Sequence, residues 1–283
     1  MTLTEWQKNA ALRLERSNDP DAEWDAKLFL CAVTGLEPGC LRLKGTQTLS
    51  DAQLETLEKM LLRREAGEPE QYIEGKSWFM GLEFDVDERV LIPRQDTETL
   101  CEAGLDAIKN IAGPDVCDLC TGSGALAVAI AVRRPDARVT AADISAEALA
   151  VAENNARKNG AKVEFVRSDG MTELKGKRYD LIVCNPPYLS EADMRFLQTE
   201  VRREPALALF GGRDGLDFYR RFTAECAVQL KPGGTLAFEV GADQADEVER
   251  LLAAQGAYTG RIRDLCGVER VIYLRKQNDT DRK

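Results

Sequence analysis

Apolar residues recur at helical spacing through the first part of the chain. Trp6 and Leu14 fall on one face of a helix with 3.6 residues per turn, and residues 20–34 repeat this pattern. A third segment begins after Ser50, a residue type that favours the N-cap position, and its leucines also share one face. We therefore expect a small all-helical domain over residues 1–70.

The pattern changes after residue 70. Alternating apolar residues around two glycines predict a β-hairpin, and we interpret residues 71–94 as a hairpin linker. From residue 114 onward, five apolar runs typical of strands alternate with helical segments, and two further strands follow near the end. This alternation predicts an α/β fold with a parallel, doubly wound sheet over residues 95–276, followed by a polar tail over residues 277–283.

The absence of histidine limits the chemistry that the chain can perform. None of the 283 residues is a histidine, which excludes a Ser-His-Asp triad, a Cys-His pair and metal sites that depend on histidine. Catalysis must therefore use amides, carboxylates, hydroxyls, thiols, backbone groups or a cofactor.

The charge balance and the N-terminus bear on partners and location. The chain has 48 acidic and 38 basic residues, a net charge of −10, and no run of basic residues that would follow a nucleic-acid backbone. The N-terminus has no signal-peptide pattern, and no apolar stretch is long enough to span a membrane. We expect a cytoplasmic monomer without stable nucleic-acid or membrane partners.

Two of the eight cysteines have C-x-x-C spacing, which is found in redox and zinc sites. Cys117 and Cys120 form this pair, but the chain offers no second pair for zinc. Cys117 also lies inside an apolar run that predicts a buried strand, whereas a redox motif begins a helix. The pattern therefore favours small buried residues over a redox or metal site.

A glycine-rich turn, D-L-C-T-G-S-G-A, follows the first strand of the α/β domain. Gly122 and Gly124 allow the backbone to approach a ligand, and Asp143 at the end of the next strand can accept the hydroxyls of a ribose. The loose G-x-G-x-x-A pattern also fits NAD, but Asp118 would repel a pyrophosphate and attract a cationic ligand. The turn therefore favours S-adenosylmethionine. Asp169 is either an acceptor for the adenine amine or a turn residue.

The tetrapeptide Asn185-Pro186-Pro187-Tyr188 follows the apolar run L-I-V-C, at the carboxyl end of a predicted strand. The side-chain carbonyl of Asn185 and the backbone carbonyl of Pro186 offer two acceptors on a stiff segment, which suits a planar NH2 group. Tyr188 can stack on that group. Two such acceptors draw electron density onto the nitrogen and aim it at a methyl donor, so no strong base is needed.

N-P-P-Y with the glycine-rich turn resembles the amino-methyltransferases, which methylate adenine, guanine or glutamine nitrogen. L-I-P-R-Q-D-T-E, residues 91–98, is similar to the I-P-R-P-D-T-E signature of the peptide chain release factor glutamine methyltransferases (PrmC/HemK family). The segments E-P-A-L-A-L-F-G-G-R-D-G-L-D-F-Y-R and L-K-P-G-G-T-L-A-F-E-V-G match as well. The resemblance covers residues 3–275.

The resemblance implies a Rossmann-like S-adenosylmethionine-dependent methyltransferase fold with seven strands and no metal. It implies N5-methylation of the glutamine in the Gly-Gly-Gln motif of bacterial class-1 release factors, which the helical domain would help to dock. Asn185 and Pro186 would be catalytic and bind the glutamine amide, while Pro187 and Tyr188 shape and cover it. The cofactor would be bound by Asp118, Cys120, Thr121, Gly122, Ser123, Gly124, Asp143, Asp169, Gly170 and Asn185.

The chain departs from the family pattern at three positions. Cys120 replaces a usual glycine, Gln95 a common proline, and Gly170 a larger residue that often covers the adenine. The N-P-P-Y segment is unaffected. Residues 94–98 either shape the cofactor pocket or hold the two domains together.

Three other functions compete with a protein glutamine methyltransferase. The two acceptors of Asn185 and Pro186 form a clamp for an NH2 group. This clamp alone permits an adenine- or guanine-amine methyltransferase of DNA or RNA, which the acidic charge disfavours. An intact clamp beside an intact pocket argues against a noncatalytic S-adenosylmethionine-binding protein. N-P-P-Y and Asp118 argue against a NAD-dependent dehydrogenase.

Overall fold

The computed structural model of the protein describes residues 1–256 and 258–277, which form two compact units. Unit 1 consists of Met1–Gly75 with Gln198–Arg203, and unit 2 begins with Lys76–Leu197 and resumes at Glu204. Apart from its first residue, the predicted polar tail lies outside the described residues. In the part of the chain that the structure describes, no helix has both the length and the apolar character needed to cross a bilayer.

Unit 1 is all-helical, as its sequence pattern predicts. Thr2 and Ser50 each form a capping box, with Glu5 and Gln53 three residues later, so the first and third helices start where their side chains satisfy exposed backbone N–H groups. The apolar faces of the helices meet in one buried cluster that includes Phe29. The helices are α1 (Leu3–Arg16), α2 (Ala22–Thr34), α3 (Asp51–Glu65) and α4 (Glu70–Glu74).

Arg64 explains why a distant segment belongs to unit 1. Its guanidinium is nearly buried and donates to Asp25 at 2.5 Å, to Asp19 at 2.7 Å and to Glu200 at 2.9 Å. Burial raises the pKa of Asp25 to about 6, although Arg64 opposes this shift. Residues 198–203 thus supply one of three carboxylates around a buried cation. The predicted helical domain does not include this segment, because a sequence pattern gives no signal of such a long-range ion pair.

Unit 2 opens with the predicted hairpin, β1 (Lys76–Phe79) and β2 (Leu82–Asp85). A seven-stranded sheet follows in the order β5-β4-β3-β6-β7-β9-β8. Its strands are β3 (Asp115–Leu119), β4 (Arg138–Asp143), β5 (Val163–Arg167), β6 (Tyr179–Cys184), β7 (Leu230–Glu239), β8 (Tyr258–Arg263) and β9 (Glu269–Arg275).

The sheet is parallel except at one edge. Strands β3 to β7 pair in parallel, whereas β9 pairs antiparallel with both β7 and β8. The predicted doubly wound sheet is thus parallel through five strands and ends in an antiparallel edge of two. The connection between β8 and β9 is too short for a crossover helix, so these strands form a hairpin.

Helices pack around this sheet, and two of them are not evident from the sequence pattern. They are α5 (Asp96–Ala107), α6 (Ala125–Arg133), α7 (Ala146–Lys158), the short α8 (Ala206–Leu209), α9 (Asp217–Gln229) and α10 (Ala245–Ala253). The unpredicted helices are the short α8 and the longer α5. Helix α5 packs closely on β6, because a Cβ on Gly104 would lie 3.1 Å from the side chains of Leu181 and Val183.

The chain order places a switch point between β3 and β6. The chain runs outward from β3 through β4 to β5, then returns to β6 on the other side of β3. Leu119 and Cys184, the last residues of these strands, are register partners. The glycine-rich turn and N-P-P-Y therefore begin side by side at the carboxyl edge, where ligands bind in open α/β sheets.

Candidate active site

A cavity of about 820 Å³ opens at this edge of unit 2, a volume typical of small-ligand and cofactor sites. The loop that precedes α5, the turn after β3, the ends of β4 and β6, and α9 all contribute lining residues. Most of the predicted site residues meet there. Those that line the cavity are Cys120, Thr121, Gly122, Ser123, Asp143, Asp169, Gly170, Asn185 and Pro187.

Two predicted cofactor residues, Asp118 and Gly124, do not line the cavity. Asp118 is fully buried and accepts hydrogen bonds from the Thr121 hydroxyl at 2.6 Å and the Ala127 N–H at 3.1 Å. Burial raises its pKa to about 7. Asp118 therefore holds the turn in shape. Gly124 serves packing, since a Cβ there would lie 3.0 Å from the Cβ of Ala152.

The turn itself depends on unusual backbone conformations. Cys120 and Gly122 have φ values of +62° and +54°, in the left-handed region. This conformation costs a residue with a Cβ about 1–2 kcal/mol, which Gly122 avoids and Cys120 bears. The Cys120 residue lines the cavity and also packs against the core cluster that contains Cys184. Its thiol thus occupies space between core and cavity.

Among the described residues, the cysteine thiols are not arranged for disulfide or metal chemistry. All eight cysteines lie in the described part of the chain, and no two of them form a disulfide. Within residues 1–256 and 258–277, no group of three or more Cys, Asp or Glu side chains is arranged to bind a metal ion. Burial raises the pKa of Cys117, which favours the neutral thiol over a reactive thiolate.

Asp143 is held at the end of β4 by two backbone groups. One carboxylate oxygen accepts the Gly122 N–H and the other accepts the Ser145 N–H, both at 2.9 Å. Burial raises the pKa of Asp143, while these two hydrogen bonds oppose the shift. Each oxygen keeps further acceptor capacity, and Asp143 lines the cavity. The side chain is thus positioned to accept two hydroxyls of a ribose.

Helix α9 covers the turn after β5, a contribution that sequence reasoning missed. Arg221 donates to the carboxylate of Asp169 at 2.7 Å and to its carbonyl at 3.0 Å. Gly170 has a φ of +61°, and a Cβ there would lie 2.9 Å from the ring of Phe222. Phe218 and Phe222 both line the cavity, and their four-residue spacing is the signal that identifies this face.

The loop before α5 and the first turn of that helix are fixed by interactions within unit 2. Glu204 accepts the Ile92 N–H at 3.0 Å and forms an ion pair with Arg94. Glu98 accepts the Met80 N–H at 2.6 Å, and an ion pair of 3.0 Å joins Asp96 to Arg270. The loop also lines the cavity through Val90, Leu91, Pro93 and Arg94.

Asn185 stands at the carboxyl end of β6 and lines the cavity. Its side-chain nitrogen, Nδ2, donates to the Thr97 hydroxyl at 3.3 Å. Pro186 and Tyr188 follow in the chain but are not lining residues. Burial raises the pKa of Tyr188 to about 12, so its hydroxyl stays neutral.

The segment 211–215 packs directly on the N-P-P-Y backbone. A Cβ on Gly211 would lie 2.6 Å from the Pro187 carbonyl oxygen, and one on Gly215 would lie 2.3 Å from the Tyr188 carbonyl oxygen. Gln244 donates to that same Tyr188 oxygen at 2.9 Å. Glycines allow this approach, which holds the tetrapeptide in one conformation.

Comparison with known proteins identifies the family. The family model described as the PrmC N-terminal domain matches residues 5–75, and the Methyltransferase small domain model matches residues 98–203. The chain is 38% identical to the release factor glutamine methyltransferase of Deinococcus radiodurans, over 98% of this chain and 99% of that protein. Identity to that of Moorella thermoacetica is 41%, over 91% and 92%. The chain belongs to the release factor glutamine methyltransferase family.

A solved structure supports the fold of this methyltransferase. The catalytic domain of hMettl16 superposes with a TM-score of 0.58 at 14% identity, over 88% of this chain and 93% of that chain. At this identity the likeness concerns the α/β methyltransferase fold alone. The predicted fold class and family are therefore confirmed.

Proposed function

We propose that this enzyme transfers a methyl group from S-adenosylmethionine to the side-chain amide nitrogen, N5, of the glutamine in the Gly-Gly-Gln motif of class-1 release factors. The observation that carries the proposal is the orientation of Asn185. Because its nitrogen faces Thr97, its oxygen remains available as an acceptor beside the cavity. Family membership supports the same substrate.

The residues around the cavity fit S-adenosylmethionine. Asp143 suits the ribose, the turn at residues 120–123 lets backbone approach the ligand, and Phe218 and Phe222 offer apolar surface for adenine. Asp118 would favour a cationic ligand only through its field, because it is buried behind the turn. When bound, S-adenosylmethionine would supply the methyl group of its sulfonium, and the sulfur would be left as a neutral thioether.

The chain's own contribution is to bind and aim the glutamine amide. The Asn185 oxygen, Oδ1, and the Pro186 carbonyl would accept one N–H each, which draws electron density onto a nitrogen whose lone pair is otherwise delocalised. A C–N bond would form as the C–S bond breaks, and the nitrogen would release its proton to solvent. Such preorganised acceptors stabilise the charge that develops on nitrogen in the transition state.

We assign docking of the release factor to unit 1, whose sequence matches the PrmC N-terminal domain. Pro187 and Tyr188 would shape and cover the amide. The net charge of −10 supports a protein substrate over a nucleic acid. The enzyme would act as a monomer in the cytoplasm.

A labelling experiment tests the substrate. The protein is incubated with methyl-labelled S-adenosylmethionine and, in separate reactions, with a release factor, a release factor carrying Asn in place of the motif glutamine, and bulk RNA or DNA. We expect label on the first protein alone, because the shorter Asn amide does not reach both acceptors. Label on nucleic acid alone would establish a base-amine methyltransferase instead.

The clamp is tested by Asn185→Ala. Loss of one preorganised polar contact lowers kcat by about 10²–10³-fold, by analogy with the loss of one oxyanion-hole donor. Mass spectrometry of the glutamine peptide follows the product. A rate near that of the unsubstituted enzyme would show that Asn185 does not hold the amide.

A further inference from the structure

Glu239 is a buried acid beside the clamp that the sequence pattern does not single out. It ends β7, whose Phe238 is the register partner of Cys184, the residue before Asn185. Only 1% of its surface is exposed, and its Oε2 atom has no hydrogen-bond partner among the described residues. Burying such a carboxyl costs stability, which suggests that it has a function.

The contacts of Glu239 lead to the clamp. The hydrogen-bonding side chains of Thr97 and Asn185 act to lower the pKa of this carboxyl, although burial is stronger and raises it to about 7. The Asn185 nitrogen also donates to the Thr97 hydroxyl at 3.3 Å. The nitrogen end of the Asn185 amide therefore faces Thr97 and Glu239.

We propose that Glu239 is a positioning residue that fixes the side-chain amide of Asn185 with its oxygen toward the substrate. The inference rests on the proposed methyl transfer to a glutamine amide. A flipped Asn185 would present two N–H donors to the N–H donors of the substrate, and the clamp would repel the group that it must hold.

Thr97 alone cannot define this orientation. A hydroxyl donates and accepts, so it satisfies either end of an amide. An ionised carboxylate only accepts, and therefore commits the Thr97 hydroxyl to donate to it and both Asn185 N–H groups to point inward. Glu239 thus removes the ambiguity that a lone threonine would leave.

The charges around Glu239 determine when this arrangement holds. Arg270 on β9 favours the ionised form, whereas Asp96 on α5 disfavours it. Tyr188 and Tyr219 also lie close, and Tyr219 donates to the Glu239 backbone carbonyl at 2.7 Å. Below the pKa of about 7, a protonated Glu239 gains a donor and the orientation weakens.

Kinetics of Glu239→Gln test the proposal. We expect kcat to fall by about tenfold to a hundredfold, as for a misplaced catalytic group, with KM for the release factor and the Kd of S-adenosylmethionine almost unchanged. Glu249→Gln, a matched change on α10 outside the cavity lining, keeps the kcat of the unsubstituted enzyme. In an Asn185→Ala background, Glu239→Gln adds no further loss, because it acts through Asn185. The same loss in both backgrounds would overturn the proposal.

A second measurement does not depend on the acceptor. The Asn185 side-chain N–H signals are identified by NMR as those that disappear in Asn185→Ala. In the unsubstituted protein they shift with pH near 7, and in Glu239→Gln they do not. If the chemical shifts of these signals change neither with pH nor with the substitution, the inference is overturned. Absence of label on the release factor would instead refute the proposed function.

Discussion

The hydroxyl of Thr97 lies 3.3 Å from the side-chain nitrogen of Asn185, although 88 positions separate the two residues in the chain. Thr97 is in the first turn of α5, and Asn185 follows β6. The contact therefore joins the I-P-R-Q-D-T-E signature to the N-P-P-Y clamp. It gives the signature a role inside the methyltransferase unit.

Two substitutions of Thr97 distinguish the role of its hydroxyl from that of its side-chain volume. Thr97→Val keeps the volume but removes the hydroxyl that accepts the Asn185 N–H, so we expect kcat to fall by about tenfold or more. Thr97→Ser keeps the hydroxyl and retains most of the activity. Steady-state kinetics on a release factor measure both. Equal rates for the two variants would mean that the hydroxyl has no part in orienting Asn185.

Asp143→Asn tests the ribose contact. A hydrogen bond to a charged group contributes about 1.5–3 kcal/mol, so we expect the Kd of S-adenosylmethionine to rise by about tenfold to a hundredfold. Calorimetry measures the affinity, and kcat at saturating cofactor should change far less. Asp136→Asn is the control, because Asp136 also accepts a backbone N–H, from Gly113, but does not line the cavity. Equal affinity in both variants would exclude a ribose contact by Asp143.

The sequence pattern predicts most of the fold, and the reason is visible in particular elements. The runs before Asn185 and the glycine-rich turn are apolar because β6 and β3 are buried within the sheet. Their carboxyl ends meet at the switch point, so motif position alone predicts the site edge. Helix α5 escapes prediction because its buried face includes Thr97 and Gly104, which leave no continuous apolar stripe.

The parts of the site that sequence does not reveal depend on long-range contacts. Because Asp118 precedes the glycine-rich turn, the sequence predicts that it binds a ligand. Only the fold shows that its carboxylate instead accepts hydrogen bonds from Thr121 and Ala127. In the sequence, Glu239 is only one polar residue at the end of a predicted strand. Its relation to Asn185 arises from the pairing of β6 with β7, which local pattern does not specify.

Gly170→Ala tests how tightly α9 closes over the turn after β5. A Cβ there would meet Glu225 at 2.6 Å and Phe222 at 2.9 Å. Gly176→Ala is the matched control, because its φ of +87° carries similar backbone strain with open space around the Cβ. We expect about 1–2 kcal/mol of lost unfolding free energy at Gly176 and more at Gly170, measured by urea unfolding. Only Gly170→Ala should weaken S-adenosylmethionine binding. Equal losses of stability and affinity in the two variants would show that α9 moves to accommodate the added Cβ at little cost.

Asp118→Asn tests the cost of the buried acid behind the turn. Its pKa rises from 3.8 to about 7 in the folded protein, so the folded state binds the extra proton between these values and its stability falls as pH rises through them. We therefore expect Asp118→Asn to raise the free energy of unfolding at pH 8 relative to its effect at pH 5. Asp115 is the opposite case: Arg138 lowers its pKa to about 2, so Asp115→Asn should destabilise the protein at both pH values. Urea unfolding at pH 5 and pH 8 measures the change in the free energy of unfolding for both variants. If Asp118→Asn has the same effect at both pH values, burial does not raise the pKa of Asp118.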